Sequence, residues 1–434
     1  MFISCVLDTN TVLAGNLIQA YDSARYYDAQ FQAAQAAFDA AVRRADQARG
    51  ALLPSVSLSA GLGRAQTDYS PGTVRTETTR TLGLSATQAL YRPVNQIAVT
   101  QADEQAEAAR AVLEGVRQDL LARVAQAYFD VLAADDGLRL VQAQKRAVEQ
   151  QLLQARRGFE LGVTTITDER EAQARDDLSA AQEIGAQNDL HLKRLTLDQL
   201  VGQTGFDSMA LAPAFQPMPL ERHPLEHWIA QAMDHQSAIR QLEGALKVAE
   251  LEVLKAEAGS RPAVDLTAGY SRQYHPDGTP GFVQPFRTVG ANVGVQLTMP
   301  LFAGFAIQNR VAETLALRDK AEADLSVAQR EAAQKVRVAF HAALSGFEQA
   351  AALRTAERSS LAALEANQVG YQVGQRINID VLNAQSQLFQ TRRDLAQARY
   401  GVLMSQLKLK QAAGVLTVAD LYLQDGDPDA AQKP

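Results

Sequence analysis

Cysteine is almost missing: Cys5 is the single one in 434 residues, which excludes a disulfide framework and any multi-cysteine metal site. Basic charge is also short. Lys and Arg number 42 against 49 acids, for a net charge of −7 and a pI near 5.5, so the basic surface that nucleic acid requires is absent. No apolar run reaches the roughly 18 residues of a spanning helix, so a membrane crossing would have to be made with strands. A Gly-rich phosphate loop, a G-x-S-x-G elbow and a Cys/His pair are all lacking, and His191, His235, His275 and His341 are scattered. No catalytic site and no cofactor are expected.

His223-Pro-Leu-Glu226-His227 matches the H-x-x-E-H pattern of one zinc peptidase class. A zinc site also needs a third ligand downstream, and no acidic/His cluster follows on 228–258. A polar helix start is the favoured reading, with a zinc hydrolase as an alternative. Met1-Phe-Ile-Ser-Cys5 has no basic region, and the apolar stretch before Asn16 is short and broken by Asp8 and Asn10. A missing or trimmed targeting segment is expected ahead of acylation at Cys5.

What the chain does contain is a stretch that occurs twice. Phe159, Gly162, Asp168, Ala172 and Gln173 recur as Tyr371, Gly374, Asp380, Ala384 and Gln385, about 212 positions downstream. Each copy lies between two Ala/Gln-rich helical runs and reads as the bend of a helical hairpin. The length prior of about three domains therefore gives way to a duplicated chain. The first repeat is placed at 1–203 and the second at 227–415, with a Pro-rich linker at 204–226 (Pro213, Pro217, Pro219, Pro224). A tail at 416–434 becomes Asp/Gly/Pro/Ala-rich and is expected to be disordered.

Each repeat reads as helix, two strands, long helical hairpin. Residues 16–50 have near-helical apolar spacing. The period then drops to 2, giving strands at 55–63 and 80–90 separated by a polar loop at 64–79. The second repeat has strands at 263–274 and 288–299. There Val289, Ala291, Val293, Val295, Leu297 and Met299 face one way, and Gly290, Asn292, Gly294, Gln296 and Thr298 face the other. Strands with one apolar and one small polar face suit a transmembrane β-barrel wall, with Tyr91, Tyr270, Phe282, Phe286 and Phe302 as interface aromatics. A soluble β-sandwich hairpin alternates in the same way. Four strands cannot close a barrel, so the membrane reading requires oligomerisation: a dimer gives eight strands, a trimer twelve.

Helical hairpins are expected at 93–201 and 304–413. Their long arms, 93–161 and 304–373, would each span about 100 Å if continuous. The return arms start near Asp168 and Asp380, where a carboxylate meets free N–H groups. Thr167 is a candidate N-cap, and Gly202 and Gly414 end the arms as C′ glycines. Capping does not account for Tyr371 and Arg376, which occur in one copy only.

The order of these features resembles the TolC family of outer-membrane channel-tunnels. It is carried by Leu53-Pro54, Thr87-Gln88-Ala-Leu90-Tyr91, Ala127-Tyr-Phe-Asp-Val-Leu132, Leu297-x-x-Pro300-Leu-Phe302 and Tyr371-x-Val-Gly374-x-Arg376-x-x-x-Asp380-Val-Leu382. The resemblance implies a mixed α and β membrane protein. Duplicated helical hairpins would form a periplasmic α-barrel tunnel, and four transmembrane strands per chain would complete a 12-stranded barrel in a homotrimer. It implies a non-enzymatic exit duct in the outer membrane, with a large periplasmic portion. The duct would serve drug efflux or type I secretion through a periplasmic adaptor and an inner-membrane transporter of ABC or RND type. Gate links are implied among Thr167, Asp168, Tyr371 and Arg376, and adaptor contacts at the tips Gly162 and Gly374. The constriction departs from the family pattern: Asp380 supplies one acidic ring, but Asn383 stands where a second is expected. A soluble structural coiled-coil protein is the other alternative, and it leaves the amphipathic strands unexplained.

Overall fold

A computed structural model describes residues 17–69, 72–206, 208, 223–279 and 282–424. Cys5, most of the linker and the end of the tail lie outside these residues. Contacts divide the chain into two units, and each takes segments from both halves of the sequence.

The first unit comprises residues up to 35, 112–240 and from 328 onward. It holds α1 (Leu17–Tyr27), the start of α2 (Ala29–Gly50), most of α3 (Pro93–Glu160), α4 (Ile166–Val201), α5 (Leu225–His235), much of α7 (Ala306–Gln372) and α8 (Asn378–Ala412). The long arms run within two residues of their expected limits. The opening helix, read as continuous over 16–50, is instead broken at Asp28. Its Oδ1 accepts from the Phe31 N–H at 2.7 Å, so the side chain caps a new helix, and Arg123 Nη1 donates to Oδ2 at 3.0 Å. A second interruption falls at Gln236, between α5 and α6 (Ser237–Ala258).

The core of this unit sits where α1 lies on α3 and α4. Leu17, Ala20, Tyr21 and Ala24, one residue in three or four, meet Leu120, Val124, Phe129, Leu197 and Val201. Tyr21 and Phe129 are 2% and 1% exposed, and burying one such side chain is worth about 1.5–3 kcal/mol. A second cluster packs Trp228 and Ala232 of α5 on Val336, Leu409 and Ala413. Gly202 and Gly414 close α4 and α8 at φ 73° and 74°. A β-carbon at Gly202 would collide with the Tyr27 ring, and one at Gly414 with the His235–Gln236 backbone.

The second unit comprises 36–111 and 241–327. Its centre is an antiparallel sheet in the order β1 (Ser55–Tyr69), β2 (Thr73–Tyr91), β3 (Ala263–His275), β4 (Phe286–Thr298). Within the polar stretch 64–79, residues 64–69 and 73–79 are strand and not loop. Pairing runs unbroken from Ser55↔Thr87 to Tyr69↔Thr73. Thr, Arg and Gln alternate there without an apolar face, which hid the strand from a hydrophobicity reading, although threonine favours strands. At about 3.4 Å per residue β1 is near 50 Å long, well beyond the roughly 25 Å of a hydrocarbon band.

Val56, Leu58, Leu62, Leu82, Leu84, Val289, Val293, Val295 and Leu297 all lie on one sheet face and are exposed, from 46% to 78%. The opposite face is polar: Ser57 and Ser85 share a 2.7 Å hydrogen bond, and Arg92 pairs with Asp265 at 2.5 Å. Phe286, expected among the interface aromatics, meets the Phe282 ring at 5.8 Å. Its ring stacks on His275 at 4.8 Å, on the polar face.

Candidate functional site: the two helical bends

Both bends are built by the same backbone hydrogen bonds. At the first, Gly162 N–H donates to the Phe159 carbonyl (2.9 Å) and Val163 N–H to Gly158 (2.9 Å). At the second, Gly374 donates to Tyr371 (3.1 Å) and Gln375 to Gly370 (2.8 Å). These are paired 5→2 and 6→1 closures, the Schellman arrangement, with the glycine left-handed at φ 72° and 73°. Nothing lies within 4 Å of where a Cβ would stand at either, so backbone conformation alone requires glycine.

The return arms start differently. In α4 the cap is Thr165 and not Thr167, because the helix begins at Ile166 and only Thr165 keeps the extended backbone (φ −91°, ψ 158°) of a cap. Asp168 N–H donates to Thr165 Oγ1 at 3.2 Å, and Asp168 Oδ2 accepts from Thr165 N at 3.0 Å, completing a capping box. Thr167 is an exposed residue of the first turn. In α8 the cap position is Ile377, which offers no side-chain acceptor. Asp380 lies in that first turn, 3.7 Å from Arg376 Nη1.

Tyr371 is half-buried against Leu364, Val381, Leu388 and Ala384. Burial raises its pKa, and the charge of Asp168 raises it further, so the phenol lies within that carboxylate's field. No hydrogen bond joins Tyr371 or Arg376 to Thr167 or Asp168 among the described residues of the single chain.

Asn383 is exposed, and its Oδ1 accepts from Arg175 Nη2 at 2.7 Å. This link between α4 and α8 was not foreseen. Its signal was present, since Arg175 follows Asp168 by seven residues and so lies near the same helix face. Arg175 and Asn383 line a polar cleft of about 430 Å³ together with Gln144, Gln182, Gln387 and Arg393. Nearby, Asn378 is 1% exposed and accepts from Gln151 Nε2 at 2.7 Å. Farther along the arms, buried Tyr400 donates to Asp136 Oδ2 at 2.7 Å, and burial together with that bond pushes its pKa up.

The His223/Glu226/His227 pattern has a structural setting. The two imidazoles stack at 4.3 Å, and both meet the buried Trp228 ring edge-on. No group of three His, Cys, Asp or Glu among the described residues could hold a metal ion.

One unit holds a sheet with an exposed apolar face and two open edges, the other long helices that turn back at glycine bends, and this pair of features is that of an outer-membrane channel subunit with a helical tunnel. The comparisons agree. Residues 20–203 and 228–415 match the model of the outer membrane efflux protein family, and the chain belongs to that family. It is 30% identical to outer membrane protein TolC of Vibrio cholerae, over 97% of this chain and 96% of that protein. It is likewise 30% identical to the alkaline protease secretion protein AprF of Pseudomonas aeruginosa, over 94% and 86%. Among solved structures, CusC superposes with a TM-score of 0.80 at 18% identity, covering 93% of each chain. VceC of Vibrio cholerae superposes at 0.77 and 20%, covering 92% and 96%. The protein is thus an outer-membrane efflux or secretion channel, a transport duct and not an enzyme.

Proposed function

We propose that the channel is a homotrimer, gated at its periplasmic end, that receives cargo from an inner-membrane transporter of ABC or RND type through a periplasmic adaptor. The observation that carries this reading is the open sheet. Strands β1 and β4 leave unpaired edges beside an exposed apolar face, and unpaired backbone groups in hydrocarbon cost several kcal/mol each. Edge pairing between copies removes them, and three copies give twelve strands. Secretion names such as AprF and PrtF among the relatives support a protein cargo, and the efflux family supports small molecules.

Tyr371 and Arg376 on the second bend would latch to Thr167 and Asp168 on a neighbouring arm. Within one chain Asp168 is held by Thr165 and Arg376 by Asp380, so local pairs compete with the latch. That makes a two-state element which a partner can bias. Asp380 would form the acidic ring of the constriction, with Asn383 one turn further in, and Gly162 and Gly374 would mark the tips that an adaptor meets. The mass of the detergent-purified protein tests the assembly: a value of three chains is expected, and a monomer that is soluble without detergent contradicts it.

A further inference from the structure

The exposed apolar face of the sheet ends, on the side away from the helices, in arginines. Arg80, Tyr274 and Arg287 stand directly opposite one another on β2, β3 and β4. Arg272, one row nearer the helices, pairs with Leu82 and Val289. Arg64 of β1 stands one row further out, opposite Thr78. By strand alternation all four share the face of Leu62, Leu82, Leu84 and Val289, so each strand places one arginine at the distal rim of the apolar band. Diagonal neighbours in such a sheet are about 7–8 Å apart.

Arg80, Arg272 and Arg287 are exposed and have no ion pair or hydrogen bond among the described residues. Asp68 is the one acid on this face of the strands, and it makes no ion pair there. The loop acid Asp277 accepts from Thr78 N–H at 2.9 Å and lies within the field of Arg64, which leaves Arg80, Arg272 and Arg287 as the arginines open to an anion. Like charges on adjacent strands repel, so a row of this kind is unfavourable unless an anion spans it. The helix-side boundary differs. There Arg92 is paired with Asp265, and Tyr91, Phe302 and Phe305 are exposed.

The geometry points to a binding belt for the phosphate groups of a phosphorylated glycolipid in the outer leaflet. The acyl chains lie on Leu62, Leu82, Leu84 and Val289, and the headgroup phosphates reach Arg80, Arg272 and Arg287. Guanidinium suits phosphate because it donates two parallel hydrogen bonds to one anion. The Tyr274 phenol, in the same row, has the amphipathic form of an interfacial side chain. This belt is independent of the gate and of subunit number.

Native mass spectrometry of the full chain in detergent tests it. The probes are a hexa-acyl glucosamine disaccharide carrying two phosphate monoesters, the same glycolipid without phosphate, and inorganic phosphate. Wild type is expected to retain the diphosphorylated lipid only. In Arg80→Gln/Arg272→Gln/Arg287→Gln its apparent affinity is expected to fall on the order of 100-fold, from the usual worth of three surface arginines against anionic lipid. Equal affinity in wild type and variant overturns the proposal. So does equal retention of the phosphate-free lipid, or displacement of the lipid by millimolar inorganic phosphate. If the triple variant does not assemble, Arg80→Gln alone is read: about fivefold weakening is expected, and no change overturns the belt.

Discussion

Removing the charge of Glu252 tests the packing of the second unit. Its carboxylate ties three helices together. Gln101 Nε2 of α3 donates at 2.8 Å, Lys255 Nζ of α6 at 2.9 Å and Arg310 Nη2 of α7 at 2.7 Å. Burial alone would raise its pKa, but these three donors outweigh it and lower the value from 4.5 to about 2. Taken whole, that shift corresponds to about 3 kcal/mol. Lys255 and Arg310 are 31% and 46% exposed, so solvent screening reduces the realised figure to about 1–2 kcal/mol. The folded-state pKa is depressed, so the contribution is present above pH 4.5 and is lost as pH falls toward 2. Glu252→Gln should therefore lower the melting temperature of the detergent-solubilised protein at pH 7 by a few degrees. The gap from wild type should close between pH 4.5 and 2. A gap that is absent at pH 7, or constant down to pH 2, would refute the reasoning.

Two further tests probe the bends. Thr165→Ala removes the cap of α4 and should cost about 1 kcal/mol locally. Hydrogen exchange should quicken at 166–169 while Thr167→Ala leaves it unchanged; the reverse order would restore Thr167 as the cap. Asn383→Asp replaces the acceptor of Arg175 with a carboxylate and adds acid to the proposed Asp380 ring. Block by trivalent cations in planar bilayers should strengthen, and equal sensitivity of wild type and variant would remove Asn383 from the constriction.

Much of the fold was legible because long elements repeat one period many times. The arms of α3 and α7 keep helical spacing over some 67 residues, so their limits came out within about two positions. Short irregularities are set by single side chains and were missed. Asp28 breaks the opening helix through one 2.7 Å hydrogen bond, and Thr165 takes the cap from Thr167 because of its backbone angles. The strand extensions over 64–69 and 73–79 carry no apolar face, so periodicity gave them no signal. At the bends, the glycines and Asp168 were readable from the duplication. The spacing of Arg175 from Asp168 marks its helix face, but only the fold pairs it with Asn383, 208 positions away.

Single-channel conductance of the purified protein in planar bilayers tests the central claim most directly, comparing wild type with Tyr371→Phe/Arg376→Ser. A gated duct predicts a small wild-type conductance that rises several-fold in the double variant, as loss of a latch shifts a two-state element toward its open form. A pore of equal conductance in both proteins would contradict the latch, and no pore in either would contradict the channel.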